Sequence, residues 1–200
     1  LMAAVFAWGT PQGASRAFQL DGRRLIAVWR TPQVWRVALA FGCYSGQWLV
    51  VIGFLPTIYT QNQISWGMTG VLTALVALVN FSGNWMSGRL PQRGWSARQT
   101  MATGYVVMGL GAVGAFLDWG GYQLPFAARY ACVVLFSAVG GLIPGTLFAC
   151  AVRLAPSEDT VSTTVGWMQQ WSATGQFFGP LAVAWLAGAV GGWQWTWGVT

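Results

Sequence analysis

The sequence predicts an all-α, polytopic transmembrane helix bundle. Three observations carry that prediction. Charged residues make up 7% of the 200 residues and hydrophobic ones 55%. An average soluble chain is roughly 25% charged, so ten arginines and four acids cannot coat a globule of this size. The apolar residues also fall in runs of about twenty, the length a helix needs to cross a hydrocarbon core of about 30 Å. Finally, the connections between those runs alternate between Arg-rich and Arg-poor, the pattern that fixes membrane orientation.

Taken in order, residues 1–8 are expected to be the end of a preceding transmembrane helix, and 9–34 an Arg-rich cytoplasmic linker. A bundle then fills 35–200. Its spans are expected at 37–59, 68–86, 100–117, 130–152 and 161–190, with a sixth beginning at 193 and truncated at Thr200. The run at 161–190 exceeds one crossing, so it is expected to tilt or project. Arg16, Arg23, Arg24, Arg30 and Arg36 precede the first span, Arg89, Arg93 and Arg98 follow the second, and Arg153 follows the fourth. The intervening connections hold Arg129 alone. The Arg-rich side is therefore expected to be cytoplasmic. Trp35, Trp66, Trp119 and Trp193 sit near span ends, where an interfacial aromatic belt lies.

Several function classes are excluded. Without histidine, Ser-His-Asp and Cys-His nucleophile systems and His-ligated metals are absent. Cys43, Cys132 and Cys150 lie singly in apolar runs, which does not make a disulfide framework. No metal site, no cofactor and no enzymatic activity are expected. The net charge of +6 reflects topology and not a basic stripe, so no nucleic-acid partner is expected. The implied partners are the lipid bilayer and a small-molecule solute.

Small residues and prolines mark packing and bending. Residues 109–114 match Gly-x-Gly-x-x-Gly, but within an apolar helix the pattern reads as helix packing and not as a dinucleotide loop. Gly42/Gly46, Gly141/Gly145 and Gly175/Gly179 have the four-residue spacing that lets helix backbones approach. Pro56, Pro144 and Pro180 fall inside spans. Gly141, Pro144 and Gly145, together with Pro180, are candidate hinge or gating positions, the alternative being a static kink.

Polar side chains inside spans are the candidate solute-binding or cavity residues, because an amide facing lipid is costly. Tyr44, Gln47 and Trp48 share one helical face by their spacing. Thr69, Thr73, Asn80 and Asn84 share another, and Gln169, Ser172 and Gln176 a third, with Gln170 and Trp171 beside it. The alternative is hydrogen bonding between helices that holds the bundle together. No Arg, Asp or Glu lies in the middle of a span. Ser157 with Glu158 and Asp159 suits the start of the 161–190 helix, and the acids could pair with Arg89, Arg93 or Arg98.

Gly88-Arg89-Leu90-Pro91-Gln92-Arg93-Gly94, followed by Arg98, resembles the cytoplasmic loop signature of the major facilitator superfamily, Gly-x-Leu-Ala-Asp-Arg-x-Gly-Arg-Arg. Gly88, Leu90, Arg93, Gly94 and Arg98 carry the likeness. Gln92 stands where the family has Asp, and one residue is missing before Gly94. The stretches 141–156 and 166–180 resemble the tenth and eleventh helices of the family's cyanate-transporter-like branch. The resemblance implies the C-terminal six-helix half of a secondary transporter of a small solute. Such a transporter would work by alternating access against an N-terminal six-helix half, in a bacterial inner membrane. Helices seven, eight, ten and eleven would wall the cavity, with Tyr44, Gln47, Trp48, Asn80, Asn84, Gln169, Gln170 and Gln176 among the lining residues. The alternatives are a multidrug exporter or a non-transporting receptor or scaffold on the same fold.

Overall fold

The computed structural model describes residues 22–118 and 120–198. The span expected at 1–8, most of the linker, Arg16, Trp119 and the last two residues lie outside them. Seven α-helices make up the described chain: α1 (Gly22–Trp29), α2 (Pro32–Gln61), α3 (Trp66–Ser87), α4 (Ala97–Phe116), α5 (Phe126–Gly140), α6 (Leu142–Leu154) and α7 (Val161–Val190). Three-residue 3-10 turns lie at Pro91–Arg93, Glu158–Thr160 and Thr196–Gly198.

Local chemistry explains the boundaries. Pro32 opens α2, where its missing N–H has no acceptor in any case. Ser65 accepts from the Met68 amide at the start of α3. Ser96 and Gln99 form a reciprocal capping box before α4. Ser157 and Thr160 do the same just before α7, and Gly191, at φ +75°, ends it in the left-handed conformation that glycine adopts freely. The linker contains α1. Asp159 pairs with Arg24 at 3.8 Å, not with Arg89, Arg93 or Arg98. Both partners are exposed, so the pair contributes little.

Among the described residues, four helical stretches are long and apolar enough to cross a membrane: Pro32–Gln61, Trp66–Ser87, Phe126–Leu154 and Glu158–Val190. The chain thus has the make-up of a membrane protein. At 20 residues, α4 reaches about 30 Å, but Gln99, Thr100, Thr103 and four glycines make it less apolar than those four. Two expected spans differ locally from straight, regular helices. The fourth expected span is two helices meeting at Gly141, and Pro144 sits in the first turn of α6, where a proline is tolerated. The sixth expected span has no α-helix among its described residues: after Gly191 the chain makes only the 3-10 turn Thr196–Gly198.

Helix directions can be read from which residues meet. A Cβ on Gly42 would stand 2.9 Å from the Trp171 carbonyl oxygen, one on Gly46 2.8 Å from that of Gly175, and one on Gly179 3.2 Å from Val50. Residue numbers rise together, so α2 and α7 run parallel. Gly141 lies against the Asn80 backbone and Gly145 against Asn84 and Ser87, so α3 and the α5–α6 rod are also parallel. Gly111 meets Phe136 while Gly104 meets Ile143, so α4 runs antiparallel to that rod. Tyr105 of α4 bonds to Ala40 while Phe116 lies by Tyr59, so α4 runs parallel to α2, and the helices alternate in direction. Arg23, Arg24, Arg30, Arg36, Arg89, Arg93, Arg98 and Arg153 lie toward one end of the bundle, with Arg129 toward the other.

Burial ranks the helices. Of the most apolar window in α2 and in α5–α6, 56% is buried, against 17% in α3 and 6% in α7. The core gathers Phe41, Leu55, Val76, Met108, Phe136 and Ile143 between α2 and the α5–α6 rod. The pairs Gly42/Gly46, Gly141/Gly145 and Gly175/Gly179 lie at helix crossings, and within 109–114 Gly111 and Gly114 face α5 while Gly109 meets nothing. No strand precedes that segment, which removes the dinucleotide reading.

This packing predicts a reversal of sign. Helix propensity favours Ala over Gly by about 0.5–1 kcal/mol. At Gly166, which has open space around its Cα, Gly166→Ala should hold or raise the thermal midpoint in micelles. At Gly175, where a methyl would run into the Gly42 carbonyl oxygen, Gly175→Ala should lower it, since overpacking costs about 1–3 kcal/mol. Equal shifts would contradict the α2–α7 contact.

Candidate functional site

The polar residues of the spans divide between two places. The first is internal. Asn80 of α3 donates through Nδ2 to the Tyr44 hydroxyl at 3.0 Å and to the Ser137 carbonyl at 2.9 Å. Trp48 donates through Nε1 to the Ser137 hydroxyl at 3.1 Å. Asn84 donates to the Asn80 side-chain oxygen at 2.9 Å. Tyr44, Trp48, Asn80, Ser137 and Asn84 thus form one chain of hydrogen bonds joining α2, α3 and α5. It lies beside Gly141, whose amide donates to the same Ser137 carbonyl at 3.1 Å. Asn80 and Asn84 share the inward face of α3 with Thr69, Val76, Gly83 and Ser87. Periodicity follows directly from that face.

The second place is α7. Ser172 is buried and donates to Ser45 of α2 at 2.7 Å. Gln176 reaches back to Ser172 at 3.0 Å. Beyond this edge the helix surface is uncovered: Ser162, Gly166, Gln169, Gln170, Ala173 and Gln176 are all exposed. Ser162, Gly166, Gln169, Ala173 and Gln176 follow each other at three- and four-residue steps with Gln170 beside them, so they form a stripe along α7. Gln169 and Gln170 have no side-chain hydrogen bond to the described residues. Gln47 is half-buried on α2 and is likewise outside the internal network. The structure therefore brings Tyr44, Trp48, Asn80 and Asn84 together but leaves Gln169, Gln170 and Gln176 on a different surface.

Three contacts had no counterpart in the sequence reading. Ser137, fully buried, is the hub of the network. Its signal is a lone hydroxyl in the apolar run between Val133 and Gly140. Tyr105 donates to the Ala40 carbonyl at 2.6 Å and ties α4 to α2. Tyr130 donates to the Leu72 carbonyl at 3.2 Å and ties α5 to α3. The only ring hydroxyl in an otherwise hydroxyl-poor span was the available clue in each case.

The hinge candidates are also placed. Gly141 is an interruption between two helices, clasped by α3, whereas Pro180 sits inside an unbroken α7. In the loop after α3, Leu90 is buried and accepts from the Trp95 amide at 3.1 Å. Gly94 has φ +81°, and Arg89 stacks on Trp85 with its guanidinium 3.5 Å from the ring centre. Arg93 and Arg98 are exposed at that end. At the same end Trp35 donates to the Trp29 carbonyl and packs on Trp167 and Trp171. At the other, Trp193 donates to Gln61 at 3.0 Å, while Trp66 is exposed. All three thiols are free, and no cluster of metal-ligating side chains occurs among the described residues.

A scan against protein-family models, a search of curated proteins and a search of solved structures each find no match. The functional argument accordingly rests on the residues themselves.

Asn80 is expected to carry structural weight. Interhelical hydrogen bonds in membranes contribute about 0.6 kcal/mol on average and up to about 1.7, and Asn80 makes two across helix boundaries. Asn80→Leu, similar in size, should lower the thermal midpoint measurably in micelles, while Gln169→Leu should leave it within error. The reverse order would show that the network is not what joins α3 to α2 and α5.

Proposed function

We propose that this chain is part of a secondary transporter that moves a small solute by alternating access, its bundle forming one wall of the passage. The observation that carries the reading is the stripe on α7. Two of the least covered helices present opposite surfaces. α3 exposes Met68, Val71, Leu75, Leu78, Phe81 and Trp85, which suits hydrocarbon. By contrast, α7 exposes Gln169, Gln170 and Gln176 within a helix apolar enough to span. An amide in hydrocarbon forfeits its hydrogen bonds at a cost of several kcal/mol. A water-filled passage satisfies it, and so does a solute in transit. Arg, Asp and Glu side chains lie near helix ends or in connections among the described residues, so a proton or ion carrier of that kind at the midplane would come from a second bundle.

In this reading Gln169, Gln170 and Gln176, with Gln47, contact the solute, while Tyr44, Trp48, Asn80 and Asn84 hold the wall rigid. Gly141, Pro144 and Gly145 form the bend about which α6 moves relative to α5. The family likeness of the loop at Gly88–Gly94 supports the major-facilitator arrangement. In it, an N-terminal half forms the opposite wall and the Arg-rich end faces the cytoplasm of a bacterial inner membrane.

Cysteine reactivity tests the passage. With Cys43, Cys132 and Cys150 replaced by Ala, Gln169→Cys, Gln170→Cys and Gln176→Cys in the full chain in native membranes should react with a small hydrophilic thiol reagent. Leu78→Cys and Phe81→Cys should react at least about tenfold more slowly, because only the thiolate reacts and hydrocarbon suppresses it. Equal, slow reaction at all five positions would reject an aqueous passage along α7.

A further inference from the structure

At the Arg-poor end, where α2 finishes and α5 begins, the helices leave a recess that the transport reading does not use. Tyr59, Asn62, Phe116, Phe126, Arg129 and Tyr130 line it. We propose that this recess binds an oxyanion, one oxygen of a phosphate or carboxylate seated between Arg129 and Tyr59.

The donor inventory is one-sided. Tyr59 is 4% exposed, and its hydroxyl, sealed from solvent, has no hydrogen-bond partner. An unpaired buried hydroxyl costs about 1–3 kcal/mol, and because Tyr59 lines the recess a small shift of its side chain toward a ligand oxygen recovers that bond. Arg129 donates Nε–H to the Ala115 carbonyl at 2.7 Å and one Nη1–H to Gln123 at 2.8 Å. Those two bonds fix the guanidinium in place and leave three of its five N–H donors uncommitted. The first turn of α5 adds amides at its positive end, and Pro125 provides no side-chain cap for them. The nearest acid along the chain, Asp118, is bonded to the Gly121 amide and the Gln123 side chain at 2.8 Å each.

Shape limits the ligand. Phe126 crosses Tyr59 with ring centres 5.6 Å apart and stacks near Tyr130 at 6.3 Å, so aromatic faces wall the recess. The space between them admits a group about the size of one water molecule. An anion therefore inserts one oxygen and leaves its remainder outside, at the level where helices end and headgroups begin. That chemistry is shared by a lipid phosphate and by a free phosphate in solution.

The test uses the purified chain in a neutral maltoside micelle and reads the thermal midpoint. The probes are inorganic phosphate and dihexanoyl phosphatidylglycerol, each against sodium chloride at equal ionic strength. At least one should raise the midpoint in a saturable manner. Tyr59→Phe keeps the ring and removes the hydroxyl, and Arg129→Gln removes the charge. Each should raise the half-saturating concentration about tenfold, the loss expected for one charge-assisted or buried hydrogen bond. Saturation by phosphate identifies a free oxyanion as sufficient, and saturation by the lipid alone identifies a headgroup. No shift beyond the salt control with either probe would overturn the proposal. So would an unchanged half-saturating concentration in Tyr59→Phe, which does not threaten the fold.

Discussion

Backbone contact at glycine is the interaction on which this bundle depends. In hydrocarbon, two helices gain nothing by hiding apolar side chains from each other, because lipid tails are as apolar as leucine. What remains is close van der Waals approach and a few hydrogen bonds. Gly42 and Gly46 of α2 meet Gly175 and Gly179 of α7, and Gly83 of α3 meets Gly141 between α5 and α6. At each crossing a methyl group would overlap backbone atoms, and backbone cannot swing aside as a side chain can. The glycines at these crossings, costly in a soluble helix, are the means of assembly here.

Hydrogen bonds are placed where that close approach has already brought the helices together. Asn80 can reach both the Tyr44 hydroxyl and the Ser137 carbonyl because Gly83, one turn away, lets α3 lie flat against the rod of α5 and α6. Ser172 meets Ser45 because Gly46 and Gly175 sit one turn along the same seam. Packing and polar bonding are thus one arrangement. The same arrangement leaves α7 free on its far side, where its glutamines lie. A wall held rigid from behind and polar in front is what the proposed passage would require.

Much of this was legible in the sequence, for physical reasons that also mark where legibility ends. The bounds of α7 follow from a capping pair at Ser157 and Thr160 and a left-handed glycine at Gly191, both local signals. The weakness at Gly141 follows from its neighbours Gly140, Pro144 and Gly145. The shared face of Asn80 and Asn84 follows from helical spacing. Spacing, though, says which residues share a face and not which way the face turns. Asn80 turns inward and spends its amide on Tyr44 and Ser137, whereas Gln169 and Gln170 turn outward. Ser137, Tyr105 and Tyr130 escaped notice because a single hydroxyl in an apolar run shows no period. The recess at Tyr59 and Arg129 assembles three helices, and nothing local announces it.

The alternation of helix direction, which the helix contacts together require, has a direct readout in sidedness. In a chain with its native cysteines replaced, Gln61→Cys and Gln92→Cys place single thiols in the turns after α2 and α3. A membrane-impermeant biotin maleimide applied to intact cells should label the thiol at 61 at once. It should reach the thiol at 92 only after permeabilisation. Labelling of both from the same side would contradict the crossing of the bilayer between them, and with it the account of the bundle as a membrane-embedded wall.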